Sequence, residues 1–197
     1  PARSSFDALI VGAGLAGSAA AIQLARAGWS VALVERQHFP RGKVCGECIA
    51  ASNLLLLQQL GVGDAFQALA GAELRRVALL QGGEAVIADL PAADHDRFAW
   101  GRALGRETLD DLLLEQARTA GATVFQPWAV QAILGTAGAW HVELRALESQ
   151  ALLRLRATLV IDAHGSWEDL PTDRPRRRLA RSAADLIAFK ARFTGSS

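Results

Sequence analysis

The chain has 197 residues, of which 51% are hydrophobic and 21% are charged, and its formal net charge is +1. This composition is that of a globular protein, and the length allows one complete core or one domain with part of another. Because the net charge is close to zero, no electrostatic argument favours nucleic acid as a partner. Two cysteines, Cys45 and Cys48, are too few for a disulfide framework and favour a reducing compartment, the cytoplasm.

A glycine-rich turn near the start of the chain predicts a dinucleotide-binding unit. Residues 6–11 predict a buried strand, residues 15–27 an alanine-rich helix, and residues 31–34 a second strand that ends at Glu35. The turn before the helix reads Gly12-Ala-Gly14-Leu-Ala-Gly17. In such a turn the first glycine permits a tight bend, the second lets the backbone approach a pyrophosphate, and the third lets helix and strand pack closely.

The start of that helix supplies unpaired N–H groups and the positive end of a helix dipole, both of which suit phosphate groups. Glu35 stands where a carboxylate would accept hydrogen bonds from a ribose diol. The candidate ligand-binding residues of this unit are therefore Gly12, Ala13, Gly14, Leu15, Ala16, Gly17 and Glu35.

The same segment allows a second interpretation. Residues 8–25 carry no charged side chain, and this length approaches that of a membrane span or of the apolar part of a signal peptide. Three glycines, many alanines and the lack of a preceding basic segment argue against both. We therefore expect no transmembrane segment here.

Periodic apolar residues and turn glycines predict the remaining elements. Helices are expected at 49–60 and 106–120, a hairpin at 74–80 and 85–90 around Gly82-Gly83, and a further strand at 98–104. A short strand is expected at 123–125, a meander at 129–134, 140–146 and 152–157, and a buried strand at 159–161 that leads into Asp162.

The last part of the chain changes character. Residues 171–182 contain two prolines and an arginine run, which predicts an exposed linker. A nucleic-acid patch is the second interpretation of that run, but no aromatic residues are interleaved with it. Residues 186–194 then alternate as a strand that has no partner after it, so we expect the chain to be cut inside a second domain.

Three segments give the chain a resemblance to a known group of enzymes. They are the turn from Gly12 to Glu35, the run Pro40-Arg-Gly-Lys-Val-Cys-Gly-Glu47, and the helix that begins Arg106-Glu-Thr-Leu-Asp-Asp-Leu-Leu. Together they resemble the FAD-dependent oxidoreductases that include geranylgeranyl reductases, aromatic hydroxylases and flavin-dependent halogenases. The second segment is most similar to the geranylgeranyl reductase branch.

The resemblance implies a three-layer α/β fold of Rossmann type with a β-meander, and part of an antiparallel substrate-domain sheet. Residues 1–72 and 105–170 would form the FAD-binding domain. Residues 73–104 and 183–197 would contribute substrate-domain strands, and residues 171–182 would link them. The activity it implies is that of a reductase or monooxygenase in which NAD(P)H reduces the bound flavin.

The resemblance also implies further cofactor contacts. It places Cys45 and Gly46 beside the flavin, Arg106 at the pyrophosphate, and Val130 and Asp162 along the cofactor. Arg36, Arg41 and Lys43 follow the second strand, where cations could offset the charge of the pyrophosphate, although a solvated turn is equally consistent with Arg41 and Lys43. Arg106 begins a helix, where a cation is unfavourable unless an anion is near, which supports a ligand role.

Departures from the family pattern leave parts of the site open. The usual Gly-Ala-Asp-Gly turn is Asp162-Ala-His164-Gly165 here, and the family's later Gly-Asp segment is not in these residues. Cys45 and Cys48 form a CxxC motif without the second pair that a zinc site needs. A reversible disulfide is the alternative, and Cys48 is otherwise expected to pack in the following helix.

The sequence indicates no metal site and no catalytic acid or base. It does not identify the small-molecule substrate or the oligomeric state. Two other functions remain: a non-catalytic dinucleotide-binding module, suggested by the expected truncation, and an enzyme that uses NAD at the same turn.

Overall fold

The computed structural model describes residues 3–45, 47–94, 97–165 and 170–172. Within them the chain forms ten strands and four helices. The strands are β1 (Ser5–Val11), β2 (Val31–Val34), β3 (Cys48–Ile49), β4 (Arg76–Gln81), β5 (Glu84–Asp89), β6 (Arg102–Ala103), β7 (Thr123–Phe125), β8 (Trp128–Thr136), β9 (Ala139–Ala146) and β10 (Leu152–Asp162). The helices are α1 (Leu15–Arg26), α2 (Ala51–Leu60), α3 (Gly63–Leu69) and α4 (Arg106–Thr119).

One six-stranded sheet organises the fold, with the strand order β7-β2-β1-β10-β9-β8. The strands β7, β2, β1 and the second half of β10 run parallel, whereas β8, β9 and the first half of β10 form an antiparallel meander. In parallel sheets of this kind, ligands bind at the carboxyl ends of the strands. The ends of β1, β2 and β10 therefore define the edge where a site is expected.

Two apolar clusters lie on opposite faces of the parallel strands. On one face, Ile10 and Leu33 pack with Ile22 of α1 and with Leu109 and Leu113 of α4, and all five are fully buried. Burial of each such side chain contributes about 1.5–3 kcal/mol relative to exposure. The helices of this cluster hold the glycine turn against the sheet.

The second cluster joins Leu9 and Val34 of the parallel strands to Ile133, Val142 and Leu155 of the meander. The meander therefore covers the face of the parallel strands that the helices leave open. Helices, parallel sheet and meander together give the three layers of the predicted α/β, Rossmann-like fold, which is confirmed.

The predicted separation of strands 152–157 and 159–161 is wrong. β10 is one strand of 11 residues that pairs antiparallel with β9 from Leu152 to Ala157 and parallel with β1 from Arg156 to Asp162. It runs without interruption because no glycine or proline lies between its halves and because it has a partner on each side. β10 thereby carries the chain directly from the meander to the end of β1.

The region between β2 and α4 differs most from expectation. The helix expected at 49–60 begins at Ala51, since Cys48 and Ile49 pair with β6. The strand expected at 98–104 is reduced to Arg102–Ala103. A short helix that was not predicted, α3, follows Gly61 and buries Phe66 completely.

The predicted hairpin is present as β4 and β5, and its strands are exposed along their whole length. Gly82 and Gly83 both have positive φ, 57° and 91°, as a type I′ turn requires. Of the predicted linker, residues 171 and 172 are described and Thr172 forms a bridge to Ile133. The rest of the linker and the strand at 186–194 lie outside the described residues.

The interpretation of residues 8–25 as a membrane or signal segment is wrong, because they form most of β1, the glycine turn and most of α1. None of the helices in the described ranges is both long enough and apolar enough to cross a membrane.

The contact between the start of α1 and the end of β1 permits no side chain at Gly17, since a Cβ there would overlap the carbonyl oxygen of Gly12. We expect Gly17→Ala to lower the free energy of unfolding by about 3 kcal/mol, the upper part of the range for overpacking. Urea denaturation measures the effect. Gly42→Ala is the matched control, because no neighbouring atom of the described residues lies within 4 Å of the added Cβ. Equal stability of the two variants would contradict this prediction.

Candidate functional site

The glycine turn connects the end of β1 to α1 and lies against the end of β10. Gly12 has a φ of +98°, and a Cβ there would lie 2.5 Å from the carbonyl oxygen of Ala163 and 2.7 Å from the Cα of His164. Such a conformation and such a close approach both require glycine. The turn is therefore fixed between two strands, and its N–H groups are held at the carboxyl edge of the sheet.

Glu35 follows β2 at the same edge and is 5% exposed. Its Oε2 accepts a hydrogen bond of 2.9 Å from the N–H of Ala13, and its Oε1 accepts one of 2.8 Å from the N–H of Gln37. A carboxylate offers about four acceptor positions, so these two bonds leave acceptor capacity on both oxygens. Glu35 thus joins the glycine turn to the loop after β2.

A cavity of about 460 Å³ opens beside Glu35. Five of the candidate residues named from the sequence line it: Gly12, Glu35, Arg36, Arg41 and Val130. The remaining lining residues are Val11, Val34, Gln37, Trp128, Ala129, Gln131, Arg145, Leu147, His164, Leu170 and Pro171. The lining combines apolar side chains, the buried carboxylate of Glu35 and several cationic groups. The apolar side chains suit a flat ring, and the carboxylate suits a diol attached to it.

Gly14 lies just before α1 and has open space in front of it. A Cβ added to Gly14 would have only the Nη2 atoms of Arg41 and Arg106 within 4 Å among the described residues, each at 3.8 Å. The helix beyond it starts at Leu15 with no side-chain cap and no acidic residue in its first turn. The predicted residues Leu15, Ala16 and Gly17 form this first turn, so two guanidinium groups and the N-terminus of α1 face the same space.

A buried carboxylate that was not predicted stands behind these two arginines. Asp110 of α4 is fully buried, and its Oδ1 accepts hydrogen bonds from Nε (3.0 Å) and Nη2 (2.8 Å) of Arg106. Its Oδ2 lies 3.1 Å from Arg106 Nη2 and 3.9 Å from Arg41 Nη2. The anion that stabilises the Arg106 cation at the start of α4 is therefore Asp110 of the same helix.

Asp110 and Arg106 affect each other's ionisation. Burial raises the pKa of Asp110, and the attraction of Arg106 only partly offsets this effect. Burial lowers the pKa of Arg106, but the hydrogen bonds and the charge of Asp110 outweigh it and the net direction is upward. Arg106 is accordingly a permanent cation beside the space at Gly14.

Lys43 and Asp162 both lie at the turn after β10. Lys43 Nζ is 3.6 Å from the Cβ position of Gly165, so it reaches the turn after β10. In that turn the carboxylate of Asp162 contacts Nδ1 of His164, which gives His164 a turn-stabilising contact. The predicted site residue Gly46 lies outside the described residues.

The two cysteines have different surroundings. Cys45 is half-buried, whereas Cys48 is exposed in β3, so the expectation that Cys48 packs in a helix is wrong. No disulfide joins Cys45 to Cys48. No cluster of three or more potential metal ligands occurs in the part of the chain that the structure describes.

The Cys45 thiol is shifted toward its charged form. Its Sγ accepts a hydrogen bond from the N–H of Glu47 at 3.4 Å, which lowers the pKa of Cys45; burial opposes this, and Arg106 lowers it further. Arg106 therefore contacts both the carboxylate of Asp110 and the thiol of Cys45.

Comparison with known proteins identifies the family. A family model described as an FAD binding domain matches residues 5–178. The chain belongs to the FAD binding domain family. The predicted membership of the FAD-dependent group is therefore confirmed, and the described site is the carboxyl edge of an FAD binding domain.

Two relatives are similar over part of the chain. The menaquinone reductase of Mycobacterium tuberculosis is 38% identical over 119 residues, which cover 60% of this chain and 28% of that protein. The kynurenine 3-monooxygenase of Stenotrophomonas maltophilia is 36% identical over 129 residues, which cover 62% of this chain and 28% of that protein.

Two solved structures have the same fold. The myxobacterial chondrochloren halogenase, an FAD-dependent halogenase, matches with a TM-score of 0.73 and 24% identity over 84% of this chain and 38% of its own. A geranylgeranyl bacteriochlorophyll reductase-like protein from Thermoplasma acidophilum matches with a TM-score of 0.66 and 23% identity over 83% of this chain and 40% of its own. The FAD binding domain described here thus spans 28–40% of these four proteins.

Sequence reasoning missed Asp110 and the cavity residues Gln131 and Arg145. Asp110 could have been found, because it lies four residues after Arg106 on the face of α4 that carries Leu109 and Leu113. A carboxylate on an apolar face needs a partner. No comparable signal marks Gln131 or Arg145, since their place beside Glu35 depends on how the meander packs.

The surroundings of Cys45 predict an unusually reactive thiol. In a Cys48→Ser background, we expect the alkylation rate of Cys45 by iodoacetamide to reach its plateau at a lower pH than a free thiol, whose pKa is about 8.5, because the thiolate is the reactive form. Arg106→Gln should move the midpoint upward, and Arg118→Gln, exposed on the same helix, should leave it in place. A midpoint at or above that of a free cysteine would contradict the assignment.

Proposed function

We propose that this chain is the cofactor-binding part of an FAD-dependent oxidoreductase, a reductase or monooxygenase that uses NAD(P)H to reduce its bound flavin and acts on an organic small molecule. The space at Gly14, with the guanidinium groups of Arg41 and Arg106 beside it, carries this proposal. It matches a pyrophosphate, and the cavity that contains Glu35 lies at the same edge of the sheet. A dinucleotide carries a pyrophosphate next to a ribose, so it would fill the space at Gly14 and the cavity at Glu35 together.

The phosphate end of the proposed site has the chemistry of an anion cradle. Gly14 leaves room for phosphate oxygens, and the N–H groups of Leu15, Ala16 and Gly17 are at the start of α1, where they have no acceptor within the helix. The charge of the pyrophosphate would face two permanent cations, and bidentate guanidinium groups are well matched to phosphate oxygens. These donors hold and orient the phosphates.

The adenosine end of the proposed site combines the cavity with Glu35. Its carboxylate is kept in place by the N–H groups of Ala13 and Gln37 and would accept hydrogen bonds from the ribose hydroxyls. Val130 and Arg36 line the cavity where the adenine would lie. The Glu35 carboxylate would repel a phosphate on the ribose, which favours FAD over a phosphorylated dinucleotide at this position.

At the flavin end, we assign Lys43, Cys45, Gly46 and Asp162 on the resemblance of their segments to the family pattern. Lys43 extends toward the Asp162 turn, which supports a shared location. Bound FAD would supply the electron transfer, and the residues described here would bind and orient it. The names of the two relatives, a menaquinone reductase and a kynurenine 3-monooxygenase, make reduction and oxygenation the two candidate reaction classes. The low cysteine count supports a cytoplasmic location.

The direct test uses the intact protein. We expect it to purify with the visible absorbance of a flavin or to acquire it on titration with FAD, and to oxidise NADH or NADPH. An intact protein that neither contains nor binds FAD would overturn the proposal. A protein that binds FAD but oxidises no nicotinamide nucleotide with any tested substrate would support the non-catalytic module instead.

The role of Glu35 gives a second test. Glu35→Gln keeps the size of the side chain but removes its charge and one of its acceptors, so we expect the affinity for FAD to fall about tenfold or more, since hydrogen bonds to charged groups contribute about 1.5–3 kcal/mol each. Equilibrium titration with FAD measures it. Glu115→Gln, exposed on α4, is the matched control. An unchanged affinity in Glu35→Gln would remove Glu35 from the ligand site.

A further inference from the structure

Asp110 is a charged group in a place where a charge is costly. Its side chain is fully buried, on a helix face that also buries Leu109 and Leu113. Removing a carboxylate from water is unfavourable unless partners compensate for the lost hydration, and apolar residues of similar size often serve stability equally well. The retention of a charge at this position therefore calls for a role beyond filling space.

The partners of Asp110 are the same two arginines that flank Gly14. Asp110 binds Arg106 through the Nε–Nη2 edge of the guanidinium, at 3.0 and 2.8 Å, which fixes both the position and the plane of that group. Arg41 comes from the loop after β2, and its Nη2 lies 3.9 Å from Asp110 Oδ2 and 3.7 Å from Glu35 Oε2. Asp110 thus connects an arginine of α4 with an arginine of a loop.

Arg41 retains capacity for a further acceptor. Its side chain is 18% exposed, and its Nε is buried with no hydrogen-bond partner among the described residues. The distances from its Nη2 to Asp110 and Glu35 exceed those of normal hydrogen bonds. Charge attraction therefore holds Arg41 near the carboxylates of Asp110 and Glu35. The N–H groups of its guanidinium still have capacity to donate hydrogen bonds to a ligand.

The two carboxylates offset the charges of the two arginines before any ligand binds. Arg41 and Arg106 carry two positive charges, and Asp110 and Glu35 carry two negative charges. Lys43, whose charge also acts on Asp110, adds a further positive charge. Without Asp110, two guanidinium groups would be held side by side next to the positive end of α1, and their mutual repulsion would separate them. The buried carboxylate allows both cations to stay beside Gly14 in advance of an anion.

We propose that Asp110 is a positioning residue for the phosphate end of the cofactor. It holds the guanidinium groups of Arg106 and Arg41 beside Gly14, where they meet the pyrophosphate. This inference rests on the proposed function, since it takes the ligand at Gly14 to be the pyrophosphate of FAD. Asp110 itself does not contact the ligand. Its effect is transmitted through the two arginines, and it is confined to the phosphate end.

The test compares Asp110→Asn with Asp111→Asn in the intact protein. Asp111 is the next residue of the same helix and is exposed, so the same chemical change there reports only nonspecific effects. Three ligands are titrated: FAD, ADP and adenosine, the last by competition with ADP. We expect Asp110→Asn to weaken FAD and ADP binding about tenfold or more, the loss typical of a charge-assisted contact, with adenosine affinity unchanged. Asp111→Asn should bind all three as the wild type does.

A merely structural role for Asp110 gives a different pattern. If Asp110→Asn weakened adenosine as much as ADP, or left the affinity for ADP unchanged, the positioning role would be overturned. If the wild-type protein binds ADP but not FAD, the proposed function is wrong. The role of Asp110 is then decided by comparing the ADP affinity of Asp110→Asn with that of the wild type. A wild-type protein that binds neither would remove both.

A multiple-mutant comparison keeps the test available if Asp110→Asn does not fold alone. Arg41→Gln with Arg106→Gln removes both cations, and the triple variant adds Asp110→Asn to that pair. Because Asp110 is proposed to act through these two arginines, the double and triple variants should bind ADP with affinities within about twofold of each other. A further loss of about tenfold in the triple variant would overturn the proposal, because it would show that Asp110 acts without either arginine.

Discussion

The close approach of three backbones at the turn after β1 is the constraint on which the site depends. Gly17 allows α1 to touch the carbonyl oxygen of Gly12, and Gly12 in turn allows the end of β1 to touch the turn after β10 at Ala163. No side chain fits between them. The start of α1 is therefore brought to the carboxyl edge of the sheet, where Glu35 fixes the N–H of Ala13 from the next strand.

A set of buried charges is built around this turn. Asp110 and Glu35 lie almost or completely inside the protein, and their oxygens face backbone N–H groups or arginines. Such groups lose hydration on folding, so their burial is weak evidence of a contribution to stability. Their hydrogen bonds and ion pairs nevertheless define the positions of the groups they contact. In this FAD binding domain the geometry is that of two guanidinium groups beside an uncapped helix start, and this arrangement is suited to a doubly charged ligand.

The parts of the fold that depend on local sequence could be predicted closely. The first strand, helix and second strand were placed to within one residue at each end, because the glycine turn specifies them, and the strand at 123–125 was placed correctly. Features that depend on tertiary contacts were missed. The change of pairing partner along β10 depends on both of its neighbouring strands. α3 has only seven residues, too few for a clear periodic pattern. The place of Arg41 beside Asp110 depends on a loop conformation that the sequence does not specify.

A crystal structure of the intact protein with FAD bound would show directly where the pyrophosphate lies. We expect its oxygens within hydrogen-bond distance of Arg41, Arg106 and the N–H groups at the start of α1. We also expect the ribose hydroxyls on Glu35 and an intact Asp110–Arg106 contact. An FAD molecule bound with its pyrophosphate away from Gly14, or with Arg106 turned from the phosphates toward solvent, would contradict these expectations.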